Sequence, residues 1–428
     1  MRAKPQISLT QEREPTTGLR GRLVCRRPWN LIRVMPAQGE MTAETRDTAA
    51  PAADLVVVGA GAVGLATAWA AARKGMRTLV LEASEPAAGA TGVAAGMLAP
   101  VTEADFGEEE LLALNLAAAA AWPSFARELE TAAQSSTGYR ETGTLSVALD
   151  RDEAELLRRL HELQLQLGLD AQWLSPRACR RLEPSLAPRI AGGVLAPGDH
   201  QVSPRALSAA LVGALAAAGG KLRREARVRG IEAGADGVEA VVLEGGERIA
   251  GRAVVLATGA ESSRLDVPPA ARVPVRPVKG QILRLRGGGA GLPERVIRTP
   301  EVYAVPREDG RLVVGATSED RGFDVSVTAG GVLDLLRRAY EALPGIYELE
   351  LLEARAGLRP AAPDNGPVVG ESRVPGLVWA TGHWRNGILL APVTGAAVAA
   401  LVSDGATTPE LEPFSPLRFA TEPAEVTP

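Results

Sequence analysis

Histidine and cysteine are scarce in this chain of 428 residues: the histidines are His161, His200 and His383, and the cysteines Cys25 and Cys179. None falls at the short mutual spacings from which zinc or iron–sulfur sites are built, so no structural metal is expected. Two distant cysteines also offer no disulfide framework, which fits a reducing cytoplasm. Long apolar runs are missing too; no uncharged stretch reaches about 18 residues, and no membrane span is expected. Nor is positive charge in excess, since 47 Lys and Arg stand against 51 Asp and Glu for a net charge of -4. That leaves no global basic field to hold nucleic acid or an anionic membrane. What is present, 46% hydrophobic and 23% charged residues, is ordinary for a globular chain long enough for roughly two to three cores.

The N-terminal stretch stands apart. Residues 1–40 carry Arg2, Lys4, Arg13, Arg20, Arg22, Arg26, Arg27 and Arg33 against Glu12, Glu14 and Glu40. They show neither the apolar segment of a secretory signal nor a helical or strand period. A transit peptide, basic and poor in acids, is matched only in part; the preferred readings for the extension 1–51 are a disordered tail, or a start assigned too early with Met41 as the true first residue.

From residue 54 the pattern sharpens. Asp54-Leu-Val-Val-Val reads as a buried strand and runs into Gly59-Ala-Gly61-Ala62-Val63-Gly64, then into an alanine-rich helix from Leu65 to Lys74. Gly75 ends the helix, and Thr78-Leu-Val-Leu-Glu82 is a second strand. This is the opening of a dinucleotide-binding unit. Gly59 permits the turn, Gly61 lets the backbone approach a pyrophosphate at the positive helix end, and Gly64 allows helix and strand to pack closely. Glu82 stands about 20 residues after Gly61, where a carboxylate accepts hydrogen bonds from ribose hydroxyls, and an acid there argues against a 2′-phosphate. Downstream, a helix over 204–219 precedes paired strands from Arg227 to Ile249. Two further strands, Ala253–Gly259 and Gly376–Gly382, both end in Ala-Thr-Gly, which implies two close backbone approaches to one ligand, the first through Thr258 and Gly259. A helix is expected after the second, from about Gly387 through Leu401.

Stretches of different texture interrupt this pattern. Residues 108–133 and 151–168 read as amphipathic helices, and 141–149, 273–286, 295–305 and 311–317 as strands of alternating exposure. The expected fold is α/β with an α+β second domain. A Rossmann-like nucleotide domain takes residues 52–131, 201–273 and 361–410, and an interleaved antiparallel-sheet substrate domain takes 132–200 and 274–360. Residues 411–428 are a C-terminal tail, and the substrate lies in the cleft between the domains.

Four phrases together carry a family resemblance: the opening unit, the run Gly89-Ala90-Thr91-Gly-Val-Ala-Ala95-Gly96-Met97-Leu-Ala-Pro100, the phrase Ala356-Gly-Leu-Arg359-Pro360, and Gly382-His383-Trp384-Arg385-Asn386-Gly387-Ile388-Leu389-Leu-Ala-Pro392. Over roughly residues 52–410 the chain resembles the FAD-dependent amine oxidoreductases of the D-amino-acid oxidase type, most of all their glycine oxidase branch of thiamine biosynthesis. The resemblance implies a Rossmann-like FAD-binding domain. It also implies non-covalent FAD, because relatives that attach the flavin use a cysteine in the C-terminal third and none follows Cys179 here. It places Ala62 and Val63 at the pyrophosphate, Glu82 and Ala83 at the ribose, and Ala90, Thr91, Ala95, Gly96 and Met97 along the ribityl chain and flavin. Val228 falls on the adenine side, and His383 to Leu389 pass the isoalloxazine edge. Read without it, 89–97 is a flexible surface loop and 386–401 a core helix. Main-chain N–H groups of a helix starting near Gly387 are expected to stabilise the negative charge of the reduced flavin.

Arg359 matches the family position that binds the substrate carboxylate, to which a guanidinium fork is suited; the alternative is a salt bridge joining the domains. Tyr303 matches a tyrosine near the same carboxylate, with an ordinary strand tyrosine as the alternative, and Arg385 either positions substrate or supports its loop. Hydride transfer from Cα needs a neutral amine and an aimed C–H bond but no enzymic base, so His383 is read as a hydrogen-bonding loop residue. His161 and His200 read as helix-surface and turn residues. Relatives carry histidine just before the tyrosine and methionine near the substrate, where this chain has Glu301 and Ser318. The implied activity is oxidation of the amine of glycine or another small amino acid to an imine, with oxygen reduced to hydrogen peroxide and the product feeding thiazole synthesis. Within the class, the alternatives are a sarcosine oxidase and a D-amino-acid dehydrogenase that passes electrons to a membrane quinone. Outside it stands a non-catalytic nucleotide-binding module, which would have no use for Arg359 and Tyr303. An oxidase acting on RNA is disfavoured by the acidic balance. The expected partners are thus a small amino acid and oxygen, in the cytoplasm, with homo-oligomerisation left open.

Overall fold

The computed structural model describes residues 53–287 and 291–419. The extension 1–51, with its two readings, lies outside the described residues.

Strand β1 (Ala53–Val58) has no charged residue after Asp54 and is buried from Leu55 onward, as a central parallel strand must be. It lies between β2 (Thr78–Leu81) and the strand Gly251–Leu256, with Val57 facing Val80 on one side and Val255 on the other. The six-stranded sheet continues to Lys221–Arg223 beyond β2, and through Leu377–Thr381 to Val368–Glu371 at the other edge. Only this last pair is antiparallel. Helix α1 (Ala62–Arg73) is built from small residues, so other backbones come close: a Cβ on Gly395 of the helix Ala391–Asp404 would lie 2.7 Å from the Ala66 carbonyl carbon. Leu65, Trp69, Leu129, Leu211 and Val398 form one core on this face of the sheet. On the opposite face Val56, Leu256 and Trp379 pack with Ile231 and Val241 of a three-stranded sheet. The alternation of Arg227 to Ile249 thus covers the nucleotide sheet.

A second sheet of eight strands runs in the order Glu350–Ala361, Arg276–Arg286, Arg311–Gly315, Tyr303–Pro306, Val296–Arg298, Thr144–Ala148, Gly192–Ala196 and Gln172–Leu174. It is antiparallel except where Val296–Arg298 runs parallel to Thr144–Ala148. The fold is therefore mixed α/β, a parallel Rossmann-like sheet combined with a largely antiparallel one.

Four expectations change. The strand foreseen over 295–305 is two strands: the Thr299 hydroxyl accepts the amides of Glu301 and Val302, and this turn sets Arg298 opposite Tyr303. The helix foreseen from Gly387 starts at Ala391. Residues 387–390 are a turn, with the Asn386 carbonyl accepting the Leu390 amide and Pro392 in the first helical turn. The segment after 410 is no tail as far as 419, since Leu411 and Phe414 are buried in the core around α1. The helix Ala329–Ala342 and most of the strand Glu350–Ala361 were not foreseen at all.

Candidate active site

The turn after β1 places the first set of candidates. Gly59 has φ +104°, and a Cβ there would lie 2.6 Å from the Ala257 carbonyl oxygen, so only glycine passes between the two strand ends. Gly61 caps α1 without a side chain to serve the first-turn amides; the Ala62 amide donates to Thr91 Oγ1 at 3.0 Å. An open helix N-terminus of this kind attracts an anion. Glu82 directly follows β2, with its Oε2 accepting the Ala60 amide at 2.7 Å and its Oε1 the Ser84 amide at 3.0 Å, which fixes the carboxylate beside the turn.

These residues open onto a cavity of about 910 Å³, within the usual range for ligand pockets. One stretch of its wall is formed by Gly59, Gly61, Ala62, Val63, Gly64, Glu82 and Ala83, with Val228, Thr258 and Gly259. Ala90, Thr91, Ala95, Gly96 and Met97 contribute a second stretch, and His383, Trp384, Arg385, Gly387 and Ile388 a third. Tyr303 and Arg359 line it as well. Asn386 and Leu389, expected with their neighbours, do not reach the wall. The Asn386 amide donates to the His383 carbonyl, and the Leu389 carbonyl accepts Trp122 Nε1 at 2.9 Å, so both hold the turn rather than face the cavity.

The run 89–97 is anchored from the second sheet. Arg284 Nη2 donates to the Gly92 carbonyl at 2.9 Å, and Arg307 donates to the Ala95 carbonyl. Gly96, at φ +77°, lies against Val202 and Pro204 so closely that a Cβ would meet the Val202 carbonyl oxygen at 2.1 Å. The run, which includes the one-turn helix Ala90–Val93, is pinned and is not a free surface loop.

Arg359 lies on the strand Glu350–Ala361 opposite Val278. Its Nη1 donates to the Thr317 carbonyl at 3.1 Å, its guanidinium stands 5.9 Å from the Trp384 ring centroid, and no carboxylate pairs with it among the described residues. Among the described residues Arg359 thus makes no joining salt bridge. Gly280 makes room for the fork, because a Cβ there would lie 2.6 Å from both terminal nitrogens. Tyr303 uses Gly315 in the same way, with a Cβ there lying 2.5 Å from the phenol oxygen. Burial pushes the Tyr303 phenol above its ordinary value, with the Arg359 charge opposing, so it stays a hydroxyl donor. Arg385 also stands by Trp384, 5.8 Å from the ring centroid.

His383 is buried, with Nε2 3.1 Å from Thr394 Oγ1, and burial holds its imidazole down at about 3. A group neutral in the folded chain and ordinary in the unfolded one makes stability fall as pH drops from about 6.5 towards 3, because the unfolded state then binds the extra proton. In thermal or urea unfolding between pH 6 and 5, His383→Gln is expected to flatten the acid slope by up to about 1.4 kcal/mol per pH unit; an unchanged slope would show that His383 does not carry it.

Glu301 and Ser318 line a separate, smaller pocket, where Glu301 pairs with Arg338. Among the cavity residues that no motif in the sequence marks, one is charged and close to Tyr303 in the fold. Glu103 lines the wall and pairs with Arg298 Nη1 at 2.9 Å. No motif marks it; its only signal is an acid soon after the Gly-rich run.

The family described as DAO, FAD dependent oxidoreductase, matches residues 54–401, and the chain belongs to it. Its cofactor is FAD, and the open helix N-terminus, the fixed Glu82 carboxylate and the three-part wall suit that group. More particularly, the chain is similar to glycine oxidases. It is 36% identical to the glycine oxidase of Geobacillus kaustophilus over 85% of this chain and 96% of that protein. The crystal structure of glycine oxidase from that organism superposes with a TM-score of 0.80, covering 86% of this chain and 99% of the other at 36% identity. A bifunctional ThiO/ThiG protein of Trichormus variabilis is 35% identical over 88% of this chain, which spans 56% of that longer relative. Among the described residues no helix is long and apolar enough to cross a membrane.

Proposed function

We propose that the protein oxidises the amine of glycine or another small amino acid, using oxygen and releasing hydrogen peroxide, with FAD held non-covalently. The observation that carries this reading is Arg359, a guanidinium without a carboxylate partner among the described residues, in the same cavity as the dinucleotide turn. FAD supplies the acceptor for the hydride that leaves the substrate Cα. The chain's own residues bind and aim. The Arg359 fork takes both oxygens of the substrate carboxylate, and the Tyr303 hydroxyl adds a third donor. Anchored there, the substrate has its Cα fixed, which is most of what hydride transfer asks of a protein. Ile282, Leu358 and Trp384 line the cavity and exclude water. His383, neutral and engaged by Thr394, takes no proton, so the ammonium proton leaves to solvent before the C–H bond breaks.

Cys179 is buried and does not line the cavity, which supports non-covalent attachment. We assign FAD to the segments 52–131, 201–273 and 361–410, which supply all six strands of the sheet around β1, and the substrate to 132–200 and 274–360. The product imine hydrolyses to glyoxylate and ammonia or is taken on for thiazole synthesis, a role suggested by the ThiO/ThiG relative. The setting is cytoplasmic.

Anaerobic addition of glycine, sarcosine, D-alanine and D-proline in turn to the purified flavoprotein tests the reading. Glycine is expected to bleach the flavin fastest, with peroxide formed when air is admitted. A flavin that none of them bleaches would overturn it, and colour returning without peroxide would point to a dehydrogenase.

A further inference from the structure

A second guanidinium stands close to the substrate end of the cavity. Arg298 is directly opposite Tyr303 in the antiparallel pair of strands Val296–Arg298 and Tyr303–Pro306. Directly opposed residues project from the same face of a sheet, so Arg298 emerges beside the tyrosine that lines the cavity. Arg298 does not itself line the wall, whereas Glu103, 2.9 Å from its Nη1, does. The pair is largely enclosed, the Glu103 side chain being 10% exposed and that of Arg298 23%. Glu103 is held there by its own segment. The Asp199 carboxylate, fully buried, accepts the amides of Val101 at 3.0 Å and Thr102 at 2.7 Å and also the Thr102 hydroxyl at 2.7 Å. Gln164 Nε2 donates to the Val101 carbonyl at 2.9 Å. The cavity therefore meets Arg359 and Arg385 beside Trp384, neither paired with a carboxylate among the described residues, and, at Glu103, a carboxylate that screens Arg298.

We propose that Glu103 is the specificity-determining residue of this site: by occupying Arg298 it confines the cavity to amines bearing a single carboxylate and turns away amines that carry a second acidic group. The inference rests on the reading above that Arg359 takes the substrate's carboxylate. A second acid on the substrate would come against Glu103 in a partly dry cavity, where like charges repel far more strongly than in water. Removing the Glu103 charge reverses the sign of the local field. Arg298 is then left as an unpaired, poorly solvated cation, and a second carboxylate becomes its natural partner.

The test uses two acids without an amine, methoxyacetate and diglycolate, which share an ether chain and differ by one carboxylate. Their binding to the FAD-loaded protein is read from the perturbation of the flavin absorption, so no turnover is needed. The wild-type protein is expected to bind methoxyacetate more tightly than diglycolate. In Glu103→Gln, diglycolate should gain at least about tenfold in affinity relative to methoxyacetate, the order expected of one charged hydrogen bond. Adding Arg298→Ala should abolish that gain. If Glu103→Gln loses its flavin, Glu103→Ala, which also removes the charge, serves in its place with a gain of the same sign. An unchanged ratio of the two affinities overturns the proposal, as does a gain that survives without Arg298. Glycine turnover by the wild-type protein is measured alongside. Turnover with an unchanged ratio overturns the role of Glu103 alone, whereas the diglycolate gain without turnover of any amine overturns the proposed activity and leaves the screening pair standing.

Discussion

Arg359→Ala is expected to raise the KM for glycine by about ten- to a hundredfold while the flavin stays bound, since the charged hydrogen bonds it removes are worth about 1.5–3 kcal/mol each. The flavin should stay because Arg359 belongs to the second sheet, where its side chain is held by the Thr317 carbonyl, and not to the dinucleotide turn. Arg359→Lys is expected to recover little, because a point charge on a flexible stem does not reproduce a planar fork. Gly280→Ala provides an independent check from outside the side chain. Its Cβ would stand 2.6 Å from the guanidinium nitrogens, so the fork must move, and KM should rise although the arginine is still present. Steady-state kinetics with flavin content measured on the same samples decides it: an unchanged KM in Arg359→Ala would remove the residue from the substrate site.

Two glycines of the opening turn should fail in different ways. Gly61→Ala is expected to fold and yet purify largely free of FAD. Its φ of -76° suits any residue, and its Cβ would meet only Thr91 Oγ1, at 3.3 Å. The added methyl therefore leaves the protein almost undisturbed but stands where a pyrophosphate must approach the helix end. Gly64→Ala is expected to cost the fold itself, because its Cβ would lie 2.0 Å from the Gly59 carbonyl oxygen, a backbone atom that can yield only by separating α1 from β1. Circular dichroism and the ratio of flavin to protein absorbance tell the two apart. A Gly61→Ala protein that retains its yellow colour would count against the pyrophosphate assignment, and a Gly64→Ala protein that folds normally would count against the packing argument.

The parts of the fold that are legible in the sequence are those set by local chemistry. A buried β-branched run, glycines at fixed spacing and an acid at a strand end are consequences of short-range requirements, so β1, α1, β2 and Glu82 can be read directly from the residues. Arg359 is legible only through family resemblance. The strand that carries it alternates poorly between inside and outside, because its first residues are exposed and its last are covered. The break between Arg298 and Tyr303 escapes notice because both flanks read as β, and the hydroxyl of Thr299 that turns the chain gives a weak signal. Glu103 is invisible for a different reason. Its partner is distant in sequence, and nothing local distinguishes an acid that screens an arginine from one that faces water.

The strand order of the parallel sheet also sets a schedule for the newborn chain. β1 and β2 leave the ribosome early, but the neighbours that complete their side of the cavity come from residues 251–256 and 377–381, and the turn over 383–388 is almost the last part of the fold to appear. Pairings between such distant segments form late, after much chain entropy has been spent. FAD therefore finds its full set of contacts only when synthesis is nearly complete, and a chain truncated before residue 377 would carry an intact glycine turn without the strand and turn that close its cavity.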